Sequence, residues 1–180
     1  MVTDWGAHHL DIAQWGLGMD GSGPVKIHAT DDKNNKRGVV LEYSNGVTVK
    51  HANGFGVHFF GTEGEVKVNR GRFELIRDGK VFSKRTGGKD DTDGSVTAAY
   101  VKAEREFLKD AKERVYKSTN HIRDFLTAVE SRKKPITNEI IGGGTAICCH
   151  LMNLAYYHKK EIKWDPKRND FACSSGDEKW

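Results

Sequence analysis

Val39-Val40-Leu41-Glu42-Tyr43-Ser44-Asn45-Gly46-Val47-Thr48-Val49 alternates apolar and polar residues on both sides of a turn dipeptide. Val39, Leu41 and Tyr43 share one face of an extended chain, and Val47 and Val49 resume the period after Asn45-Gly46, which predicts a β-hairpin. Upstream, Gly21-Ser22-Gly23-Pro24 reads as a compact turn and Val25 to Thr30 as a half-buried strand, followed by a polar loop from Asp31 to Lys36. Downstream, a strand around Val57 to Gly61 turns at Thr62-Glu63-Gly64 into Glu65 to Asn69, and Arg72 to Ile76 pairs with Lys80 to Lys84 across Asp78-Gly79. Consecutive strands joined by short turns predict an antiparallel sheet. The alternation leaves Glu42, Lys50, Glu65 and Lys67 on the second face, as a solvated surface or an oligomer contact.

Helical patterns flank the strands. Residues 86–95 form a polar stretch read as a flexible connection, because their acids lack the spacing of a calcium-binding loop. Beyond it, Tyr100, Ala103, Phe107 and Ala111 form one helical stripe, and Ile122, Phe125, Leu126 and Val129 another. Ser118 to Asn120 offer caps for the second helix, and Pro135 marks its end. A last long helix starts near Asn138 and turns Ile147, Leu151, Leu154 and Ala155 inward. Gly142-Gly143-Gly144 weakens its first turns by about 1 kcal/mol per glycine relative to alanine. Either that helix begins later, or its backbone lies close to another element or a bound group; no phosphate-loop pattern surrounds the glycines. One leading helix, then strands, then helices predict an α+β domain with a largely antiparallel open sheet and helices packed on one face.

The 180 residues read as a single domain, 1–180, with a core of its own. With 30% charged and 37% hydrophobic residues the composition is that of a soluble globular protein, and the net charge of +4 is mild. Its basic residues form no stripe with interleaved aromatics, so no nucleic-acid partner is expected. No apolar run approaches the roughly 20 residues that span a bilayer, and no signal peptide is present. No membrane partner and a cytoplasmic location are therefore expected. Cys148, Cys149 and Cys173 have no metal or redox spacing and read as reduced thiols, the first two as small core residues.

Chemistry concentrates at the other end, in Val2-Thr3-Asp4-Trp5-Gly6-Ala7-His8-His9-Leu10-Asp11-Ile12-Ala13-Gln14-Trp15-Gly16-Leu17-Gly18. Thr3 or Asp4 can cap a helix that Gly16 or Gly18 ends. Asp4, His8 and Asp11 then stand at i, i+4 and i+7, and project from one side. Singly, each has a plain role as cap, core histidine or solvated residue. Together, beside small Gly6 and Ala7, they suit close approach of a ligand.

Asp4-x-Gly6-x-His8-x-x-Asp11, with Trp15 and the Leu17-Gly18 ending, resembles the motif that opens the substrate domain of the Gfo/Idh/MocA family of NAD(P)-dependent sugar and polyol oxidoreductases. Phe60-Gly61-Thr62-Glu63-Gly64, His121 to Leu126 with the Arg132-Lys133-Lys134-Pro135 ending, Cys149 to Tyr156 and Trp164-Asp165-Pro166 extend the resemblance from Val2 to about Phe171. It covers only that family's second domain: neither the Rossmann fingerprint nor the catalytic Lys-Pro motif of the cofactor domain is matched in this sequence, whose one Lys-Pro pair, Lys134-Pro135, belongs to the helix ending just quoted. The resemblance implies that His8 is the general acid or base, that Asp4 positions it or binds a substrate hydroxyl, and that Asp11 supports the substrate site. It also implies a carbohydrate or polyol substrate, NAD or NADP held by an N-terminal domain, no cofactor bound by this chain alone, and a homodimer or homotetramer formed through the open sheet face. In that family, polar residues such as His-Arg often stand where Gly143-Gly144 stand here, a departure that argues against a substrate contact there. His150 and Asn153 match, and His150 reads as a helix-packing histidine. Two other classes stay open: a binding module without enzymatic activity, and a metal-assisted hydrolase or lyase using Asp4, His8 and Asp11 as ligands.

Overall fold

The structure is a computed structural model and describes residues 2–30, 38–112 and 114–172. The polar loop from Asp31 to Lys36 and Cys173 lie outside the described residues. The chain divides into two compact units, Met1–Asn53 with Val115–Trp180, and Gly54–Arg114.

The first unit holds α1 (Trp5–Gly16), β1 (Lys26–Ala29), β2 (Val39–Glu42) and β3 (Thr48–His51). The second holds β4 (Val57–Phe60), β5 (Gly64–Asn69), β6 (Arg72–Arg77), β7 (Lys80–Arg85) and α2 (Val96–Glu106). Back in the first unit follow α3 (His121–Ser131), α4 (Glu139–His158), β8 (Ile162–Asp165) and β9 (Asp170–Phe171).

The α+β class and the antiparallel pairing are as the sequence reads, with the strands divided between two open sheets. In the first unit the order is β3-β2-β1-β8-β9, and Ile27 of β1 sits opposite both Leu41 and Ile162. These three side chains are fully buried at the centre of a core completed by Leu10 of α1 and by Cys148, Cys149, Leu151, Met152 and Ala155 of α4. Burying each large aliphatic side chain contributes roughly 1.5–3 kcal/mol, so this strip fixes the sheet against α4. The opposite face is charged: Lys26 Nζ lies 3.3 Å from Glu42 and 3.2 Å from Glu161, and His28 Nε2 lies 3.0 Å from Glu42.

The hairpin forms where Asn45-Gly46 places it, with a three-residue loop. The Gly46 N–H donates to Tyr43 O at 3.0 Å, Gly46 takes φ of 85°, and the Val47 N–H donates to Asn45 Oδ1 at 3.1 Å. This is a turn followed by a left-handed residue, the usual form of such a loop.

In the second unit β4 to β7 run as a meander, closed at Asp78-Gly79 by two residues of positive φ, 49° and 71°. Ala99 and Ala103 of α2 are buried against it, and the Phe107 ring meets Phe82 edge-on at 4.2 Å. Tyr100 is exposed and α2 ends at Glu106, so the stripe expected through Ala111 is one turn too long. The 86–95 connection is pinned rather than loose: Asp91 accepts from the N–H groups of Thr86 (2.7 Å) and Gly87 (2.8 Å), and Lys84 N–H donates to Thr92 Oγ1 (2.8 Å). Gly64, with φ of 158°, passes so close to the Ile76 carbonyl that a side chain there would collide with backbone.

Candidate functional site

The candidate site is built wholly within the first unit, where α1 crosses α4. On α1, Leu10, Ala13 and Gln14 turn inward, which leaves Trp5 and His8 exposed and Asp11 half-buried at the edge. Asp4 stands at the N-cap, but its side chain makes no capping bond. Gly18, with φ of 68°, terminates the helix: Leu17, Gly18 and Met19 donate in turn to the carbonyls of Ala13, Trp15 and Gln14.

On α4 the Asn138 side chain caps the first turn, accepting from Ile140 N–H (3.0 Å) and Ile141 N–H (3.4 Å). The glycine run therefore lies inside the helix. A Cβ added at Gly142, Gly143 or Gly144 would meet nothing within 4 Å, so no described element presses on this backbone. The cost in helix propensity leaves open space, not a tight contact.

That space joins a cavity of about 280 Å³, lined by Thr3, Ala7, His8 and Asp11 of the α1 region and by Gly142, Thr145, Ala146, Cys149 and His150 of α4. Its volume falls near the lower end for small-molecule sites. The Thr145 hydroxyl, buried in the floor, donates to Asp11 Oδ1 at 3.0 Å, and so ties the two helices together through a charge-assisted bond. His8 sits at the rim with its ring edge-on to Trp5, 5.9 Å between centroids. His150, also exposed, lines the same cavity instead of packing between helices, because the inward face of α4 is occupied by Cys148, Cys149, Leu151 and Met152.

Beneath the floor the Tyr43 hydroxyl donates to Gln14 Oε1, and Gln14 Nε2 donates to Met19 O at 3.4 Å. Burial, reinforced by neighbouring Cys149, pushes the Cys148 thiol up to about 12. Burial also raises Cys149. Both are neutral core thiols and offer no thiolate nucleophile. Burial, and then the charge of Asp11, pushes the Asp20 carboxyl upward, and its Oδ1 is buried without a hydrogen-bond partner.

Of the residues singled out by sequence, the structure brings His8 and Asp11 to the cavity, while Asp4 lies outside its lining. Thr145 and the lining role of His150 were not legible: Thr145 is one polar position in an apolar helix, and its partner is 134 residues away. Among the described residues, no group of three or more His, Cys, Asp or Glu stands where it could hold a metal ion.

No family model matches the chain, and no curated protein matches it in sequence. Among solved structures it is similar to an aldose-aldose oxidoreductase from Caulobacter crescentus complexed with glycerol, with a TM-score of 0.51 and 13% identity. That alignment covers 88% of this chain and 45% of the other. It is also similar to an oxidoreductase from Agrobacterium radiobacter in complex with NAD+, L-tartaric acid and magnesium, with a TM-score of 0.49, 15% identity, and coverage of 91% and 48%. The chain thus spans less than half the length of either structure. At these identities the likeness is one of fold alone, and it rests on the first of the two: this chain is folded like part of that aldose-aldose oxidoreductase.

Proposed function

We propose that this chain is the substrate-binding and oligomerisation domain of an NAD(P)-dependent oxidoreductase that acts on a sugar, polyol or glycoside hydroxyl. The observation that carries the reading is the cavity in which His8 and Asp11 of α1 meet Thr145 and His150 of α4. Imidazoles exchange protons near neutrality, and carboxylates and hydroxyls hold sugar hydroxyls in a fixed orientation. In this assignment His8 accepts the proton of the reacting hydroxyl at a ring nitrogen. Asp11, held through Oδ1 by Thr145, presents its other oxygen to a second hydroxyl. Asp4, one turn ahead of His8, binds a hydroxyl from the rim.

The nicotinamide's own site does not fit these residues. A cavity of about 280 Å³ does not enclose a dinucleotide, and the glycines of α4 are helical instead of forming a phosphate loop. The cofactor is assigned to a separate N-terminal domain, and this chain alone is expected to be inactive and to bind neither NAD nor NADP. Association as a homodimer or homotetramer through the charged open sheet face, and a cytoplasmic location, belong to the same proposal. No helix among the described residues is long and apolar enough to cross a membrane.

Titration of the 180-residue chain with an aldose or a polyol, followed by imidazole NMR resonances, tests the reading. His8 and His150 are expected to shift together, with Thr145→Val weakening the response. Saturating shifts confined to other residues, or none at molar polyol, would overturn it.

A further inference from the structure

Helix α3 is turned outward. Ile122, Phe125, Leu126 and Val129 recur at i, i+3, i+4 and i+7, yet they are 62%, 59%, 52% and 44% exposed, and no residue of the helix is buried. The half-covered positions are Asp124 and Ala128 on the opposite side, where the Tyr116 hydroxyl donates to Asp124 Oδ1 at 2.9 Å. Both ends are closed: the Asn120 side chain accepts from Arg123 N–H at 3.0 Å, and Arg132 terminates the helix in the left-handed region at φ of 56°. Eleven residues are too few for a helix to hold itself in water, so its stability must come from a surface that covers the apolar stripe.

The charges beside the stripe say what that surface is. Arg123 and Glu130 are seven residues apart, so they lie on the same flank of the seam, with opposite signs. Both stand at the wrong end for the helix dipole, the cation in the first turn and the anion in the last. A pattern that is unfavourable to the helix alone becomes favourable when that flank meets itself in reverse. Antiparallel pairing about a two-fold axis does this: Arg123 faces Glu130 of the partner subunit at one end, and the inverse contact follows at the other.

We propose that α3 pairs antiparallel with α3 of a second copy of this chain, with Ile122, Phe125, Leu126 and Val129 as the seam and the two Arg123–Glu130 contacts setting direction and register. The surface is separate from the open sheet face, and the proposal does not depend on the catalytic reading. Four side chains burying on the order of 100 Å² each give about half the roughly 800 Å² per partner of a standard interface, so the pairing is weak and concentration-dependent.

Sedimentation of the 180-residue chain across a dilution series, at low salt, tests it. Arg123→Glu alone should weaken association on the order of tenfold, Glu130→Arg likewise, and the double variant should recover it. Each substitution improves the match to the helix dipole, so a loss in the single variants is not helix unfolding, and circular dichroism checks this. Leu126→Asp should abolish pairing. A chain that stays monomeric at millimolar concentration, single variants that associate like the parent, or a double variant that recovers nothing would each overturn the proposal; the last would assign the stripe to a different partner.

Discussion

The two sheets are built by opposite strategies. In the second unit β4 to β7 follow one another in space as in sequence, each turn joining neighbours. In the first unit β8 inserts beside β1 after more than a hundred intervening residues, and the candidate site exists only because α1 and α4, from opposite ends of the chain, cross. The local unit carries turn chemistry and pinned loops. The first unit carries the core of Ile27, Leu41 and Ile162 and the cavity. A site that has to hold two helices in one geometry sits on the part of the chain where long-range packing enforces that geometry.

The strongest way to break this contrast is at the centre of the first unit's sheet. Ile27 is fully buried between Leu41 and Ile162, so Ile27→Ala should cost about 2–5 kcal/mol through lost burial and the cavity left behind. Trp5, Trp15 and Trp164 all lie in the first unit, and residues 54–114 contain no tryptophan, so urea unfolding followed by tryptophan fluorescence reads that unit. A cost under 1 kcal/mol would show that the sheet is not held where its core places it.

A smaller effect sharpens the contrast at the site itself. Thr145→Val keeps the shape of the floor and removes the donor to Asp11 Oδ1, at a cost of about 1–3 kcal/mol for leaving a partly buried carboxylate oxygen unpaired. Asp11→Asn in the same background should then cost less than in the parent, because the two residues act as a pair. Additive losses would show that the bond does not couple the helices.

What the sequence made legible divides along the same line. The Asn45-Gly46 and Asp78-Gly79 turns, and the start of the last helix near Asn138, were readable because each is decided by a few adjacent residues. β8 and β9 were not: Ile162-Lys163-Trp164-Asp165 is short, charged at alternate positions, and paired with a strand remote in sequence. The α3 stripe was readable as amphipathic but not as uncovered, since the same spacing serves a core or an interface. At the site, the helical spacing and the family resemblance singled out His8 and Asp11. That spacing places residues on one side of a helix without saying how far along it the cavity extends, which is why Asp4 falls outside the lining.

The smallest expected effect lies in the local unit and depends on pH. Burial pushes the Asp91 carboxyl upward, but the N–H groups of Thr86 and Gly87, the Thr86 hydroxyl and Arg85 together outweigh it and hold the group below its ordinary 3.8. A carboxylate whose folded pKa is depressed contributes stability that is fully present above the unfolded value and is lost as pH falls through the folded one, because the unfolded chain takes up the proton first. Asp91→Asn should therefore lower the melting temperature at pH 7 by less than Thr145→Val does, and the gap between variant and parent should close as pH falls below 3.8. The asparagine carbonyl can still accept from the Thr86 N–H, but its amide group cannot accept from the Gly87 N–H, so the substitution removes the charge together with that bond, and the closing gap isolates what the ionised carboxylate contributes. Thermal scans from pH 7 to pH 2 give the comparison. A gap that stays constant across the range would mean that Asp91 acts by shape alone.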